Sequence, residues 1–404
     1  MRVPRDPALP RLGSLLDRDA MGPRLERSLG RPARVGAVRI ARLSYKPGER
    51  VIVHYEVVVD GRREDAVARA VAGRDLEGRA RRAPLLELAE KVNGRSPAVT
   101  PVTYDGDADA LLTWLPLDPR LPALAASPLE LARMLEELGL DAAPKPAEPR
   151  LLSYKPGRRA VLRLDGHLLK IYGSARQFAA AAAGLRAGSA LSGIATPRFE
   201  AIIAPSRLTA QAAVEGAPVP SLEAAREAGA LARSLQRAEV PGLAPAGREA
   251  QLEAVRRKAV LIGAVVPALA ARVGTLARRL TGSTPRHGRL VPAHGDFHAG
   301  QLLRVEGSLH LLDLDSICLG TPALDLAEYA AEATGAGLET GMAALEALLE
   351  GYGARPGGLD WDLAAAILVR ASHPFHRALP AWADRVEGMV AAAETVLAEW
   401  SGPA

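Results

Sequence analysis

The chain carries a single cysteine, Cys318, in 404 residues. One thiol can form no intramolecular disulfide and builds no cysteine metal site, which fits a reducing compartment. Aromatic residues are also scarce, at 4%. No stretch reaches the roughly 18 uninterrupted apolar residues of a membrane span. The apolar stretch 259–271 is short, contains Pro267 and follows Arg256, Arg257 and Lys258, so it predicts a buried helix. Residues 1–20 are charged and broken by proline, without the apolar core of a secretory leader. The expectation is a soluble, cytoplasmic protein with no membrane partner.

An excess of one charge is missing too. Basic residues number 51 against 46 acidic ones, for a net charge of +5. Nucleic-acid binders concentrate positive charge on one face or tail. Here arginines alternate with acids along the whole chain, so a mixed, solvated surface is expected and a nucleic-acid partner is not. A basic cleft for a phosphorylated ligand is the lesser alternative. What the chain has is 48% hydrophobic residues, ample for cores. Its length exceeds that of an ordinary single domain, so two or three lobes are expected.

An internal echo organises the first half. Residues 43–48 and 152–157 both read Leu-Ser-Tyr-Lys-Pro-Gly, and each is followed by an arginine (Arg50, Arg159) and a β-rich run. Pro-Gly between β-formers predicts strand, tight turn, strand. The second copy continues through Asp165-Gly166, a hairpin signal, into a third strand with Lys170 at its centre, and then a helix. Further strands are expected at Ile203 and 208–214, ending at Glu215-Gly216. The first copy has its own hairpin at Asp60-Gly61 and places Arg69 where the second has Lys170. A helix is expected over 74–92, then a Pro-rich linker to about residue 149. Helix formers cover 221–238, 247–280, 323–351 and 360–400, interrupted by a strand pair at about 302–314.

Residues 291–329 carry the chemistry. Phosphoryl transfer needs a carboxylate to take the acceptor's proton, oxygen ligands for magnesium and a lysine on the phosphates. His294-Gly295-Asp296 offers a carboxylate on a loop that Gly295 lets turn sharply. Gln301 offers an amide oxygen. Asp313 and Asp315 follow an apolar strand, and period 2 would put both on one side of it. Hard oxygen donors of this kind suit Mg2+.

This segment resembles the catalytic and metal-binding loops of the aminoglycoside phosphotransferase and choline kinase family, which shares the protein-kinase-like fold. The matching residues are His294, Gly295, Asp296, Asp313, Asp315, Gly320, Pro322, Asp325, Leu326 and Ala327. The resemblance covers roughly 150–400. It implies that Asp296 is the catalytic base, that Asp313 is the principal magnesium ligand with Gln301 and Asp315 beside it, and that Lys170 holds the ATP phosphates. The turn Lys155-Pro156-Gly157-Arg158-Arg159 falls where this fold has its nucleotide-covering loop, although it lacks the Gly-x-Gly-x-x-Gly pattern. Lys155, Gly157 and Arg159, with Glu215 at the hinge, are therefore candidate nucleotide contacts.

Three residues depart from the family pattern. Gln301 stands where Asn is usual, as it does in maltokinase-like and bacterial amino-sugar kinase relatives. Thr321 replaces the Asp before Pro322. The helix after Lys170 lacks the Glu that orients the lysine, with Gln177 and the remoter Glu200 as polar substitutes. Asp325 reads as an anchor for the loop, Cys318 as a buried thiol, and His298 and His310 as a loop and a strand residue. The group His373, Phe375, His376, Trp382 and Asp384 reads equally as an acceptor wall or as plain packing. No Ala-Pro-Glu activation segment follows Asp313, which argues against a protein acceptor.

The expected fold is α+β and bilobal: a small antiparallel ATP-binding lobe (150–215), a helical catalytic and acceptor-binding lobe (216–404), and a front domain (1–149) that is a degenerate copy of the small lobe. The expected activity is ATP-dependent phosphorylation of a hydroxyl on a sugar, amino sugar or aminoglycoside. The alternative is an inactive pseudokinase that binds nucleotide or a partner.

Overall fold

The structure is a computed structural model and describes residues 4–141, 147–285 and 288–400. Its backbone divides into two units. One holds residues 1–178, 200–211 and 375–380, and the other holds 179–199, 212–374 and 381–404.

The first unit contains both copies of the echo. Helices α1 (Leu12–Leu16) and α2 (Arg18–Ser28) precede strands β1 (Val35–Lys46), β2 (Arg50–Val59) and β3 (Arg62–Val71). Asp60 and Gly61 both take positive φ, 50° and 81°, as a two-residue hairpin turn requires. The helix expected over 74–92 is two helices, α3 (Leu76–Ala80) and α4 (Ala83–Lys91). Pro84 causes the break, because proline fits a helix's first turn but removes a hydrogen bond from its interior. Strands β4 (Val102–Asp105) and β5 (Ala110–Trp114) complete a sheet of order β1-β2-β3-β5-β4. Helix α5 (Pro128–Glu136) opens the second copy, within the expected linker, of which residues 142–146 lie outside the described residues. Strands β6 (Arg150–Lys155), β7 (Arg159–Leu164) and β8 (His167–Tyr172), helix α6 (Ala175–Gly188) and strands β9 (Phe199–Ile203) and β10 (Leu208–Ala212) follow. Their order, β6-β7-β8-β10-β9, repeats that of the first sheet. The register repeats as well: Arg69 pairs with Ile52 as Lys170 pairs with Val161.

Leu162, Leu164, Leu169, Ile171, Leu208 and Ala210 bury one face of the second sheet, together with Leu131 and Leu135 of α5. Side chains alternate along a strand, so Val161, Lys170, Thr209 and Gln211 belong to the opposite face. Lys170, Thr209 and Gln211 are 3%, 0% and 2% exposed, an unusual burial for polar groups on one sheet face.

The duplication reaches further than the turn. Asp118 Oδ2 accepts from the Tyr154 hydroxyl at 2.7 Å and from the Gly157 amide at 2.6 Å. Asp6 Oδ2 accepts from Tyr45 and Gly48 in the same way, at 2.8 Å each. Both aspartates belong to an Asp-Pro-x-Leu-Pro stretch, at 6–10 and 118–122. Each carboxylate ties its turn to the chain that enters its sheet.

In the second unit, β11 (Ala217–Pro218) leads into helices α7 (Ser221–Arg237), α8 (Arg248–Val265) and α9 (Ala270–Gly282). The stretch 259–271 is not one buried helix: α8 ends at Val265, Pro267 opens a 3-10 turn, and Val260 is 67% exposed. Strands β12 (Val291–Ala293), β13 (Leu302–Val305), β14 (Ser308–Leu311) and β15 (Cys318–Gly320) follow, then α10 (Leu324–Ala333), α11 (Leu338–Tyr352), α12 (Leu359–Arg370), α13 (His373–His376) and α14 (Trp382–Glu399). The β12–β15 pair is an addition to the expected β13–β14 hairpin. Among the described residues no helix is long and apolar enough to cross a membrane.

Asp118 is 2% exposed whereas Asp6 is half-buried, so their loss should differ. Asp118→Ala leaves a buried hydroxyl and amide unsatisfied and should cost about 1–3 kcal/mol in denaturant unfolding, with Asp6→Ala costing less. Equal costs would refute the clamp. A second test uses His167, whose ring nitrogens contact Glu200 and the Asp141 carbonyl at 2.7 Å each. Burial opposes charge on the ring, but the Glu200 and Asp141 hydrogen bonds outweigh it and raise its pKa. The folded state thus holds this proton more tightly than the unfolded one, whose pKa is about 6.5. The stabilisation is complete below about pH 6.5 and is lost as pH rises through the folded value. Urea midpoints should fall on passing from about pH 6 to about pH 8 in the wild type, and less so in His167→Gln.

Candidate active site

The loop after β12 is fixed from beneath by one carboxylate. Asp325 is fully buried at the start of α10 and accepts from the His294 amide at 2.8 Å and the Gly295 amide at 2.9 Å. Burial pushes its pKa up, and the His294 ring and the two amides pull the other way. Gly295 sits at φ 80°, and a Cβ there would stand 2.4 Å from the Ser316 carbonyl oxygen, so no other residue fits without moving the chain. His294 is 0% exposed. Its Nε2 donates to the Leu312 carbonyl at 2.8 Å, which leaves Nδ1 to accept from the Asp296 amide at 3.4 Å. The imidazole therefore joins the Asp296 loop to the residue before Asp313.

Gln301 and Asp313 meet at the open end of the β13–β14 hairpin. The Leu312 amide donates to the Gln301 carbonyl at 2.8 Å, and Gln301 Nε2 lies 3.5 Å from Asp313 Oδ2. The strand expected to present Asp313 and Asp315 together ends earlier, at Leu311. Asp313 takes a left-handed conformation (φ 57°, ψ 60°), and Asp315 lies in the 3-10 turn Leu314–Ser316. Period 2 therefore does not relate them. A non-glycine residue in this region marks a position held by its surroundings. Among the described residues no three His, Cys, Asp or Glu side chains gather as a metal cluster. Thr321 donates to Asp362 of α12 at 3.0 Å, so a carboxylate from another helix serves the position where the family pattern has its own. Burial, then the charge of Asp325, push the Cys318 thiol up to about 12.

The residue that sequence reasoning missed is Arg370, at the end of α12. Its Nη2 donates to Asp296 Oδ1 at 3.0 Å, and its Nε donates to Glu328 Oε2 at 2.8 Å. The guanidinium is 8% exposed, against 49% for the Asp296 side chain. Burial works against its charge, but Glu328 and Asp296 overcome that and raise its pKa. Glu328 is shifted up by burial, with Arg370 opposing. His298 Nε2 approaches the same Asp296 Oδ1 at 3.9 Å. Asp296 Oδ2 has no hydrogen-bond partner among the described residues. Asp325 and Glu328 are three residues apart on α10, hence on one helix face. That spacing was a readable signal, whereas nothing near Arg370 in sequence announces its role.

Of the remaining candidates, Lys155, Gly157, Arg159 and Lys170 lie on the turn and strands of the second sheet, with Thr209 and Gln211 on Lys170's face. Glu215 lies in the exposed link before β11. The two substitutes for the missing helix Glu each have a contact of their own. Gln177 Oε1 accepts from Ser174, and Glu200 pairs with His167. The late group divides: Phe375 packs edge-on against Tyr45, and His376 donates to the Leu43 carbonyl at 2.8 Å, which is packing against β1.

Residues 157–367, just over half of the chain, match the phosphotransferase enzyme family, and the chain belongs to that family. It is similar to a spectinomycin phosphotransferase solved with ADP and spectinomycin: 14% identity, 66% of this chain and 98% of the other, TM-score 0.46. A macrolide 2'-phosphotransferase from Brachybacterium faecium gives 21% identity, 64% and 97% coverage and a TM-score of 0.42. A choline/ethanolamine kinase family protein from Mesorhizobium loti gives 15%, 63% and 89%, and 0.44. No curated protein matches the chain.

Arg370→Gln should strand the half-buried Glu328 without its buried cation. Breaking such a pair costs about 3–5 kcal/mol. The double variant Arg370→Gln/Glu328→Gln should recover most of that loss in chemical unfolding. A double variant no more stable than the single one would show that the two are not coupled.

Proposed function

We propose that the protein transfers the γ-phosphate of ATP to a hydroxyl of a sugar, amino sugar or aminoglycoside, with Asp296 as the base. The observation that supports this is the division of labour between the two Asp296 oxygens. Oδ1 faces Arg370, which fixes the carboxylate's orientation, and Oδ2 is left to accept a proton. The acceptor hydroxyl gives its proton to Oδ2 as its oxygen bonds to the γ-phosphorus. The bond from that phosphorus to the β–γ bridging oxygen breaks, and ADP departs. Lys170, Lys155, Gly157, Arg159 and Glu215 are the proposed nucleotide contacts. Asp313 and Gln301 would hold Mg2+, with Asp315 near them. Two oxygen donors at one hairpin end fit an ion that keeps most of its waters, and the Gln301 amide turned over brings Oε1 beside the Asp313 carboxylate. The ion's contribution would be neutralisation of phosphate charge.

A second reading, nucleotide binding without transfer, draws support from the absence of a glutamate in helix α6 after Lys170. ATP turnover against a panel of sugars, amino sugars and aminoglycosides separates the two. Asp296→Ala should lower kcat by about 10²–10⁴-fold. Turnover unchanged by that substitution sinks the assignment of the base, and magnesium-dependent ATP binding with no transfer to any acceptor favours the second reading.

A further inference from the structure

The two sheets of the first unit are copies, so the places where matching faces diverge mark what the second sheet gained for its task. Asp109 and Arg207 each stand one residue before the last strand of their sheet, β5 and β10, and both take a left-handed φ, 46° and 47°. That match aligns Leu111 with Thr209 and Thr113 with Gln211. Arg69 pairs with Leu111 in the first sheet, and Lys170 and Thr209 are their counterparts in the second. In the first sheet this place is apolar and closed. Leu111 is 1% exposed and lies in one cluster with Leu85 and Ala89 of α4. In the second sheet the same positions carry Lys170, Thr209 and Gln211.

Thr209 has a neighbour for its hydroxyl, since its Oγ1 lies 3.4 Å from the Tyr172 Oη. Gln211 has none. It is 2% exposed, and its side-chain amide has no hydrogen-bond partner among the described residues. The amide is not sealed in either: the fully enclosed side-chain atoms without a partner belong to Arg69, Asp165, Arg248 and His310. Leaving a buried donor and acceptor unmet is unfavourable, so the place is complete only with a group that meets both. Residues two apart on a strand stand about 7 Å from each other. Gln211 therefore lies one such step along β10 from Thr209, towards the link that holds Glu215. A nucleotide with its phosphates at Lys170 and its length along β10 brings its base to Gln211. The edge of a base sets donors and acceptors side by side, which a primary amide meets as a pair.

We propose that the Gln211 side-chain amide contacts the purine base of the nucleotide and admits guanine as well as adenine, so that GTP serves beside ATP. Adenine sets an amino donor beside a ring-nitrogen acceptor. Guanine sets a carbonyl acceptor beside a ring N–H donor. One amide meets either edge by turning over about its last bond, which exchanges its oxygen and its NH2. A neighbour bonded to one end of the amide would lock it to one base. Among the described residues no side chain does so, and the hydroxyl of Thr209 stands by Tyr172. The contact presupposes that the Lys170 face holds the nucleotide, as proposed above. It requires neither Asp296 as the base nor any transfer.

The test is calorimetric titration of the full chain with ADP, GDP and inorganic pyrophosphate, each with Mg2+. Wild type should bind ADP and GDP with affinities within about tenfold of each other. Gln211→Met keeps the side chain's length and removes its donor and acceptor. It should weaken ADP and GDP alike by about three- to tenfold, the loss of one or two neutral hydrogen bonds, and leave pyrophosphate binding as it was. Thr113→Val, at the matching place in the first sheet, should bind all three as wild type does. Wild type that binds neither nucleotide overturns the nucleotide assignment and this proposal together. If wild type binds both nucleotides and Gln211→Met binds them equally well, the base contact alone is overturned. An equal loss of pyrophosphate binding in Gln211→Met, or an equal loss of nucleotide in Thr113→Val, overturns it too. A preference of about a hundredfold or more for ADP over GDP in wild type overturns the admission of guanine. Removing an unmet amide should also leave the thermal midpoint of Gln211→Met, without nucleotide, at or above that of wild type. A lower midpoint would show the amide to be structural and likewise overturn the proposal.

Discussion

The geometry of the catalytic loop depends on Asp325. A carboxylate with no solvent contact is unfavourable unless hydrogen bonds and charge compensate it. Here the two backbone amides of His294 and Gly295 do so, and in return they lose their freedom. With those amides fixed, the His294 ring has one position from which it reaches the Leu312 carbonyl and the Asp296 amide together. The proposed base and the proposed metal ligand are thereby set on one rigid frame. Gly295 completes it, since the Ser316 carbonyl occupies the space any side chain would need. The same face of α10 presents Glu328, which positions Arg370, which holds Asp296 from the opposite side. One turn of helix thus governs both the backbone and the side chain of the loop.

The first unit solves a different problem with a repeated device. Two sheets of identical strand order each anchor their first turn by an aspartate from the chain that enters the sheet. The copies differ where chemistry differs. Lys170, with Thr209 and Gln211, makes a buried polar face in the second sheet. Arg69, its counterpart by register, lies under the neighbouring turn. A guanidinium reaches further than an ammonium and is always charged, so the first sheet's counterpart of Lys170 packs against the turn of the second sheet.

Much of this was legible from residues alone. The repeated Leu-Ser-Tyr-Lys-Pro-Gly gave both hairpins, and the His-Gly-Asp loop with its downstream aspartates marked the site, because each rests on short-range spacing. The Asp-Pro-x-Leu-Pro echo was equally readable and marks the two clamps. Pro84 and Pro267 were visible as helix breaks, although helix-forming neighbours on both sides obscured them. Two features were not readable. The left-handed turn at Asp313 is adopted by a residue that seldom needs it, so the strand looked longer than it is and Asp315 looked like its partner. Arg370 reaches Asp296 across 74 residues of sequence, and a lone long-range ion pair has no periodicity to betray it.

The arrangement around Asp296 also constrains how a base can work here. An acceptor hydroxyl ionises far above neutral pH, so a base that pulls strongly at the outset is of little use. What helps is a carboxylate held in place with one oxygen open. Arg370 is suited to that task because Glu328 takes up part of its charge. Two carboxylates share one buried cation, and Arg370 fixes the orientation of Asp296 from between them. Glu328 therefore belongs to the machinery of the loop as much as to its packing. An acidic residue there reads as a partner of the arginine before it reads as a contact for a cationic acceptor.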